Sequence, residues 1–334
     1  MPTLKIKLPN WFGGWEVGLI SLVAMVWIVG TGIEPNFFTS SNFSTTFASS
    51  IGIALMVIPL AWLIISGEID LSVASIYGLS AAVLGRSLEV GHAFWFSAVL
   101  ALVVAGLAGL INGVLVVNFN LPSLVVTVGT LALYRGVAFI LLEYRSYSDF
   151  PTGFTNFAQN TFGNSPIPQT GIVFFALAIV AGLLLQSGGV GRKVYAIGSN
   201  LTVSNFSAIR VRRIKRGMFV FSGLVSGTAG ILYAGYTSSA RANNGTGLEL
   251  SIIAIVLMGG ISMYGGKGRF IGVLLSLILV TSLTSWMNLK YISSSIQYTV
   301  VGMLMIGAVV IPALSEKFSN YREIQLEKHN AVHV

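Results

Sequence analysis

Runs of about 20 apolar residues recur along the whole chain, and that recurrence limits the fold more than any other feature. They fall at 17–33, 48–66, 71–88, 94–117, 122–142, 170–187, 217–237, 248–264, 268–288 and 294–313. A helix needs about 20 residues to cross roughly 30 Å of hydrocarbon, so these runs predict about ten transmembrane helices. Only 9% of residues are charged and mean hydropathy is +0.82, whereas a soluble domain carries about a quarter charged residues. The expectation is an all-α integral membrane protein, a single polytopic domain over 1–334. The second and third runs are parted only by Ser66-Gly67-Glu68-Ile69-Asp70, which leaves two crossings or a broken, re-entrant element open at that point.

Charge fixes the expected orientation. Residues 188–216 hold Arg192, Lys193, Arg210, Arg212, Arg213, Lys215 and Arg216 and no acid. Basic residues near span ends resist translocation, so this segment is expected on the cytoplasmic side. Threading ten spans from a cytoplasmic N-terminus (Lys5, Lys7) also places Lys267, Arg269 and the charged tail 314–334 inside. Residues 143–169, rich in Pro, Asn, Thr and Ser, become the main periplasmic loop. The same bias accounts for the net charge of +8 without nucleic acid. The N-terminus lacks a small-residue cleavage pattern, so the first apolar run reads as a span rather than a removed signal peptide. With no Cys, disulfides, thiolate metal sites and cysteine nucleophiles are excluded. His92, His329 and His333 are scattered, and no metal or cofactor is expected.

A faint internal repeat links the halves. Asp70-Leu71-Ser72 and Glu249-Leu250-Ser251 each open an apolar run, 179 residues apart. Val128-Gly129-Thr130-Leu131 and Val301-Gly302-Met303-Leu304 recur correspondingly in the fifth and tenth runs. Five spans separate the equivalents, which inverts them in the bilayer, an arrangement common in transporters. Asp70 and Glu249 stand at span edges, where an acid marks a pathway or a partner or caps a helix start; the roles are compatible. Glu68 reads as interfacial. Arg135 can pair with an acid or backbone carbonyls, or snorkel outward. Asn112 reads chiefly as an interhelical hydrogen-bonding residue.

Glycines at helical spacing (Gly106, Gly109, Gly113; Gly223, Gly227, Gly230) predict close helix packing. The run 259–268 is not a phosphate loop, because Ile261 stands where its first Gly belongs and Gly268 where Ser or Thr belongs. Within the basic segment, Leu201, Val203, Phe206 and Ile209 form an uneven apolar stripe behind the candidate N-caps Asn200 and Thr202. Such a helix can rest on lipid or dock into a soluble partner.

Four blocks carry a family resemblance: SGEIDLSVAS, GLINGVL with PSLVVTVGTLALYRG, GRKVYAIGSNLTVSNFSAI, and GTGLELSIIAIVLMGGISMYGGKG. In order, over about residues 45–313, they resemble the permease subunits of bacterial ABC importers of the ribose/xylose/arabinose and autoinducer-2 class. The resemblance implies a permease of the inner membrane that moves a sugar or sugar-like solute inward by alternating access. It implies a second permease subunit, a separate cytoplasmic ATPase and a periplasmic or lipid-anchored sugar-binding protein, with no hydrolysis by this chain. It also implies a coupling helix in the 188–216 segment, resting on Gly198, Asn200, Thr202, Val203, Ser204, Phe206, Ser207 and Ile209. The pathway is expected near Asp70, Ser72, Asn112, Thr127, Glu249 and Ser251. Three departures stand out: Glu68 for the second Gly of SGGIDLS, Ala208 where Gly is common, and Ser251-Ile252 in a block often written ELDAIAA. They suit one half of a heterodimer. The alternatives are an ion-coupled secondary transporter, a membrane-embedded enzyme for which no catalytic cluster is present, and a scaffold partner without its own pathway.

Overall fold

The computed structural model describes residues 13–163, 165–304, 306, 307 and 310; the N-terminal lysines and the tail expected inside lie outside them. Helices account for nearly all of the architecture: α1 (Gly14–Ile33), α2 (Ser40–Ile65), α3 (Val73–Glu89), α4 (Phe94–Asn118), α5 (Ser123–Leu142), α6 (Thr152–Gln159), α7 (Gly171–Gln186), α8 (Gly189–Ser199), α9 (Leu201–Phe206), α10 (Val211–Tyr236), α11 (Leu248–Met258) and α12 (Phe270–Leu289). A further helical stretch covers 294–304. Six helices (α1, α2, α4, α5, α10 and α12) are long and apolar enough to span a bilayer, and a seventh span is formed if α7 and α8, bent by 65°, count as one. Among the described residues this is fewer than the ten runs suggest. The third run yields a 17-residue helix, and the eighth yields only 11 residues before Gly259 and Gly260 end it.

α2 is the central helix, with 83% of its apolar window buried. It packs against α10, α11, α12 and α7, while α10 packs against α4, α3 and α2. The α4–α10 crossing is made by glycine. A side chain at Gly109 would overlap the Phe219 carbonyl, and one at Gly223 the Ala105 carbonyl. Small residues one turn apart thus bring the two backbones into contact, the packing their spacing implies. α5 is peripheral, with 28% of its window buried.

Two segments between the apolar runs carry structure. Residues 143–169 include α6 and the strand β1 (Ser146–Tyr147), which pairs antiparallel with β2 (Ala240–Arg241). The 188–216 segment is mostly helical, being occupied by α8, α9 and the start of α10. At the end of the bundle that carries β1 and β2, Lys290 donates to Glu34 at 2.9 Å. That ammonium holds the Glu34 carboxyl below its ordinary pKa.

Candidate functional site

The linker 66–72 joins α2 to α3 and turns into the bundle, where its polar groups are taken up by three other helices. Asp70 is fully buried. Its Oδ1 accepts the backbone N–H of Ser72 at 3.0 Å and the Ser72 hydroxyl at 2.6 Å, and its Oδ2 accepts the Ser222 hydroxyl of α10 at 3.0 Å. Ser72 in turn accepts from Asn112 Nδ2 of α4 at 2.7 Å. The Tyr134 hydroxyl of α5 lies 3.1 Å from Asn112 Oδ1 and 2.9 Å from the Ala108 carbonyl. Every polar group in this chain of contacts is paired, the condition on which a buried network is tolerated. Asp70 closes a tight turn just before α3 and ties that turn to α10.

Thr127, on the first turns of α5, donates to the Ser123 carbonyl at 2.8 Å and lies 3.2 Å from the Ile69 carbonyl. Ser123 Oγ accepts the Ile69 N–H at 3.1 Å. Four expected pathway residues, Asp70, Ser72, Asn112 and Thr127, thus meet in one fully buried cluster.

Glu249 and Ser251 are not part of it. They lie in the first turn of α11 and are half-buried. Glu249 Oε2 accepts the Gly247 N–H at 3.1 Å and pairs with Arg135 of α5 at 3.4 Å. Arg135 therefore takes the acid-pairing option. Glu68, expected at the interface, is paired within the protein. Its side chain is 12% exposed and receives Lys215 Nζ.

At the end of the bundle where α10 begins, α9 is capped by Asn200, whose side chain accepts the Val203 N–H at 3.0 Å. Thr202 lies inside the helix rather than at its cap. Only Ser204 of α9 is buried, while Leu201, Val203 and Phe206 point outward, Phe206 at 88% exposure. Ser207 is exposed and Ile209 half-buried, with Ala208 between them in the left-handed region at φ 56°. Gly198 lies against the end of α2, so close that a side chain would overlap the Ile65 carbonyl.

Sequence reasoning missed Ser222, Tyr134 and Lys215. Ser222 and Tyr134 had a weak signal, a hydroxyl within an apolar run, whereas Lys215 looked like one more member of the basic segment. A groove of about 950 Å³ between α1, α2, α7 and α12, walled by residues such as Phe47, Phe174 and Phe270, contains none of the candidate residues. Among the described residues no group of three or more His, Asp or Glu could hold a metal ion.

Residues 42–309 match the family described as branched-chain amino acid transport system / permease component. Curated relatives include the autoinducer 2 import system permease protein LsrD of Escherichia coli (strain K12) and of Shigella flexneri. Each is 31% identical over 303 residues, covering 89% of this chain and 91% of the relative. The same protein of Escherichia coli O157:H7 matches with equal identity and coverage. No solved structure matches. A bundle of apolar helices around a buried polar linker, matched over most of its length, identifies the chain as a member of the branched-chain amino acid transport system / permease component family, the multi-pass membrane permease of an ABC importer.

Proposed function

We propose that this chain is one half of the translocating pair of an ABC importer and carries a sugar-like solute of the autoinducer-2 class inward by alternating access. The solute class rests on the relatives, which are autoinducer 2 import permeases. A network of hydroxyl, amide and carboxylate groups in a bundle otherwise poor in charge suits a neutral polyhydroxylated solute. The partners are a second permease subunit, a cytoplasmic ATPase that performs the hydrolysis, and a periplasmic or lipid-anchored binding protein.

The carrying observation is the polarity of the two ends. Among the described residues, Arg192, Lys193, Arg210, Arg212, Arg213, Lys215, Arg216, Lys267 and Arg269 gather at one end beside Glu16 and Glu68. At the other, Arg86, Arg145, Arg241 and Lys290 are matched by Glu34, Glu89, Glu143 and Asp149. The positive-inside bias makes the first end cytoplasmic, with both termini inside and 143–169 outside. There α9 offers Leu201, Val203 and Phe206 as an unpartnered apolar knuckle, suited to a groove on the ATPase. Gly198, Asn200, Thr202, Ser204, Ser207 and Ile209 belong to the same coupling segment, with Asn200 capping α9 and Ser204 buried beneath it.

Ten spans in two inverted halves are supported by the exchange of partners: α2 lies against α11 and α12 as α10 lies against α3 and α4. In both halves a non-helical linker precedes the short helix, α3 or α11, and an acid stands at the junction. The pathway runs beside these junctions. Asp70, Ser72, Asn112 and Thr127 shape its cytoplasmic part from behind, and Glu249 and Ser251 border its outer part.

The test is uptake into proteoliposomes containing this chain, its companion permease, the ATPase and the loaded binding protein. Uptake is expected only with ATP inside the ATPase-accessible compartment. Accumulation driven by an ion gradient with this chain alone would instead make it a secondary transporter.

A further inference from the structure

The end of α2 is held from three directions, and each contact leads to the cytoplasmic segment. The Ile65 carbonyl accepts the Gly266 N–H at 2.8 Å from the turn between α11 and α12. Gly198, at the end of α8, has no room for a side chain beside the same carbonyl. Gly265 adopts φ 82° and packs on Gly67. Glu68 then receives Lys215, seated in the first turns of α10 directly after α9. Both side chains of this pair are nearly buried, at 10% and 12% exposure. Two turns further along α10, Ser222 reaches the same linker at Asp70.

α10 is thus bound to the 66–72 linker at two points, and α8 touches the linker's entrance. Because the α9–α10 connection is only Ser207–Arg210, a push on α9 displaces the first turns of α10. A buried ion pair moves as a unit, since separating it exposes an unpaired charge to a poorly solvating interior. We infer that Lys215 and Glu68 are positioning residues that convey movement of the α8–α9 segment to the linker carrying Asp70, and so to the start of α3. This rests on the proposed coupling role of α9.

The experiment compares the assembled importer carrying Glu68→Gln, Lys215→Met, the charge swap Glu68→Lys/Lys215→Glu, and the apolar pair Glu68→Leu/Lys215→Leu. Solute imported per ATP hydrolysed, ATPase co-purification and thermal stability are read together. Each single variant is expected to keep the ATPase bound and to lower solute moved per ATP about tenfold, within the range of coupling between linked sites. The charge swap should recover at least half of the wild-type ratio. The apolar pair should recover stability but not the ratio, which separates transmission from a purely structural role. A wild-type ratio in the apolar pair, or singles that lose stability alone, overturns the inference. Phe206→Asp serves as the separate check on α9. If that variant still co-purifies with the ATPase, the coupling reading fails; if it releases the ATPase while the Glu68 and Lys215 variants couple normally, only the tie fails.

Discussion

Replacing Asp70 by leucine keeps the bulk of the residue and removes both acceptor oxygens. Three donors lose their partner: the Ser72 N–H, the Ser72 hydroxyl and the Ser222 hydroxyl. Ser222 sits inside α10 and can turn to a carbonyl one turn back, which leaves two stranded donors. Each buried donor without an acceptor costs about 1–3 kcal/mol, so Asp70→Leu should cost about 2–6 kcal/mol. Asn112→Leu strands no donor, because Tyr134 keeps the Ala108 carbonyl and Ser72 keeps Asp70. It forfeits about 1 kcal/mol of net hydrogen bonding. Asp70→Asn retains one carbonyl oxygen and presents an amide to a Ser222 hydroxyl that can accept, at a similar small cost. At roughly 2 °C per kcal/mol for a long chain, Asp70→Leu should lower the melting midpoint by about 4–12 °C and the other two by about 2 °C. Intrinsic fluorescence of the six Trp residues in the purified, detergent-solubilised protein reads all three. Equal shifts for Asp70→Leu and Asn112→Leu would refute the assignment of the carboxylate as the hub of the network.

Further outcomes follow from individual positions. Ala208 holds a left-handed backbone, so Ala208→Gly should stabilise the end of α9 by about 1 kcal/mol, visible as slower amide exchange over residues 203–210. Gly223→Leu drives a side chain into the Ala105 backbone at the α4–α10 crossing and should cost about 3 kcal/mol or more, whereas Gly129→Ala, with open space at its Cα, should leave the melting midpoint unchanged. The chain contains no Cys, so Phe206→Cys and Phe162→Cys each create a lone thiol. An impermeant maleimide added to intact cells should label Phe162→Cys, and Phe206→Cys only after permeabilisation; the reverse pattern inverts the proposed topology.

Helix positions were largely legible, because the length of an apolar run and the length of a membrane-spanning helix are set by the same thickness of hydrocarbon. Asn112 was legible too: an amide within an apolar run needs an interhelical partner, and Ser72 supplies it. The glycine spacing likewise announced close packing of α4 and of α10, though not that they pack on each other. Pairings between distant positions were not legible. Lys215 meets Glu68 across 147 residues and Arg135 meets Glu249 across 114, and neither spacing leaves a local trace. β1 and β2 are two residues each, too short for an alternating pattern to register. In the 188–216 segment the short helix after Asn200 was legible, but α8 was not: charge interrupts its apolar pattern, yet it forms by laying Val194 and Ile197 against the bundle.

The β1–β2 pairing has a bearing on where the molecule can part. It stitches the segment after α5 to the segment after α10, and Gln159 adds a second seam by donating to the Tyr236 carbonyl and to Ser238. The two halves of the chain are therefore laced together at that rim. A mouth that opened on this side between the segment after α5 and the segment after α10 would have to part both seams.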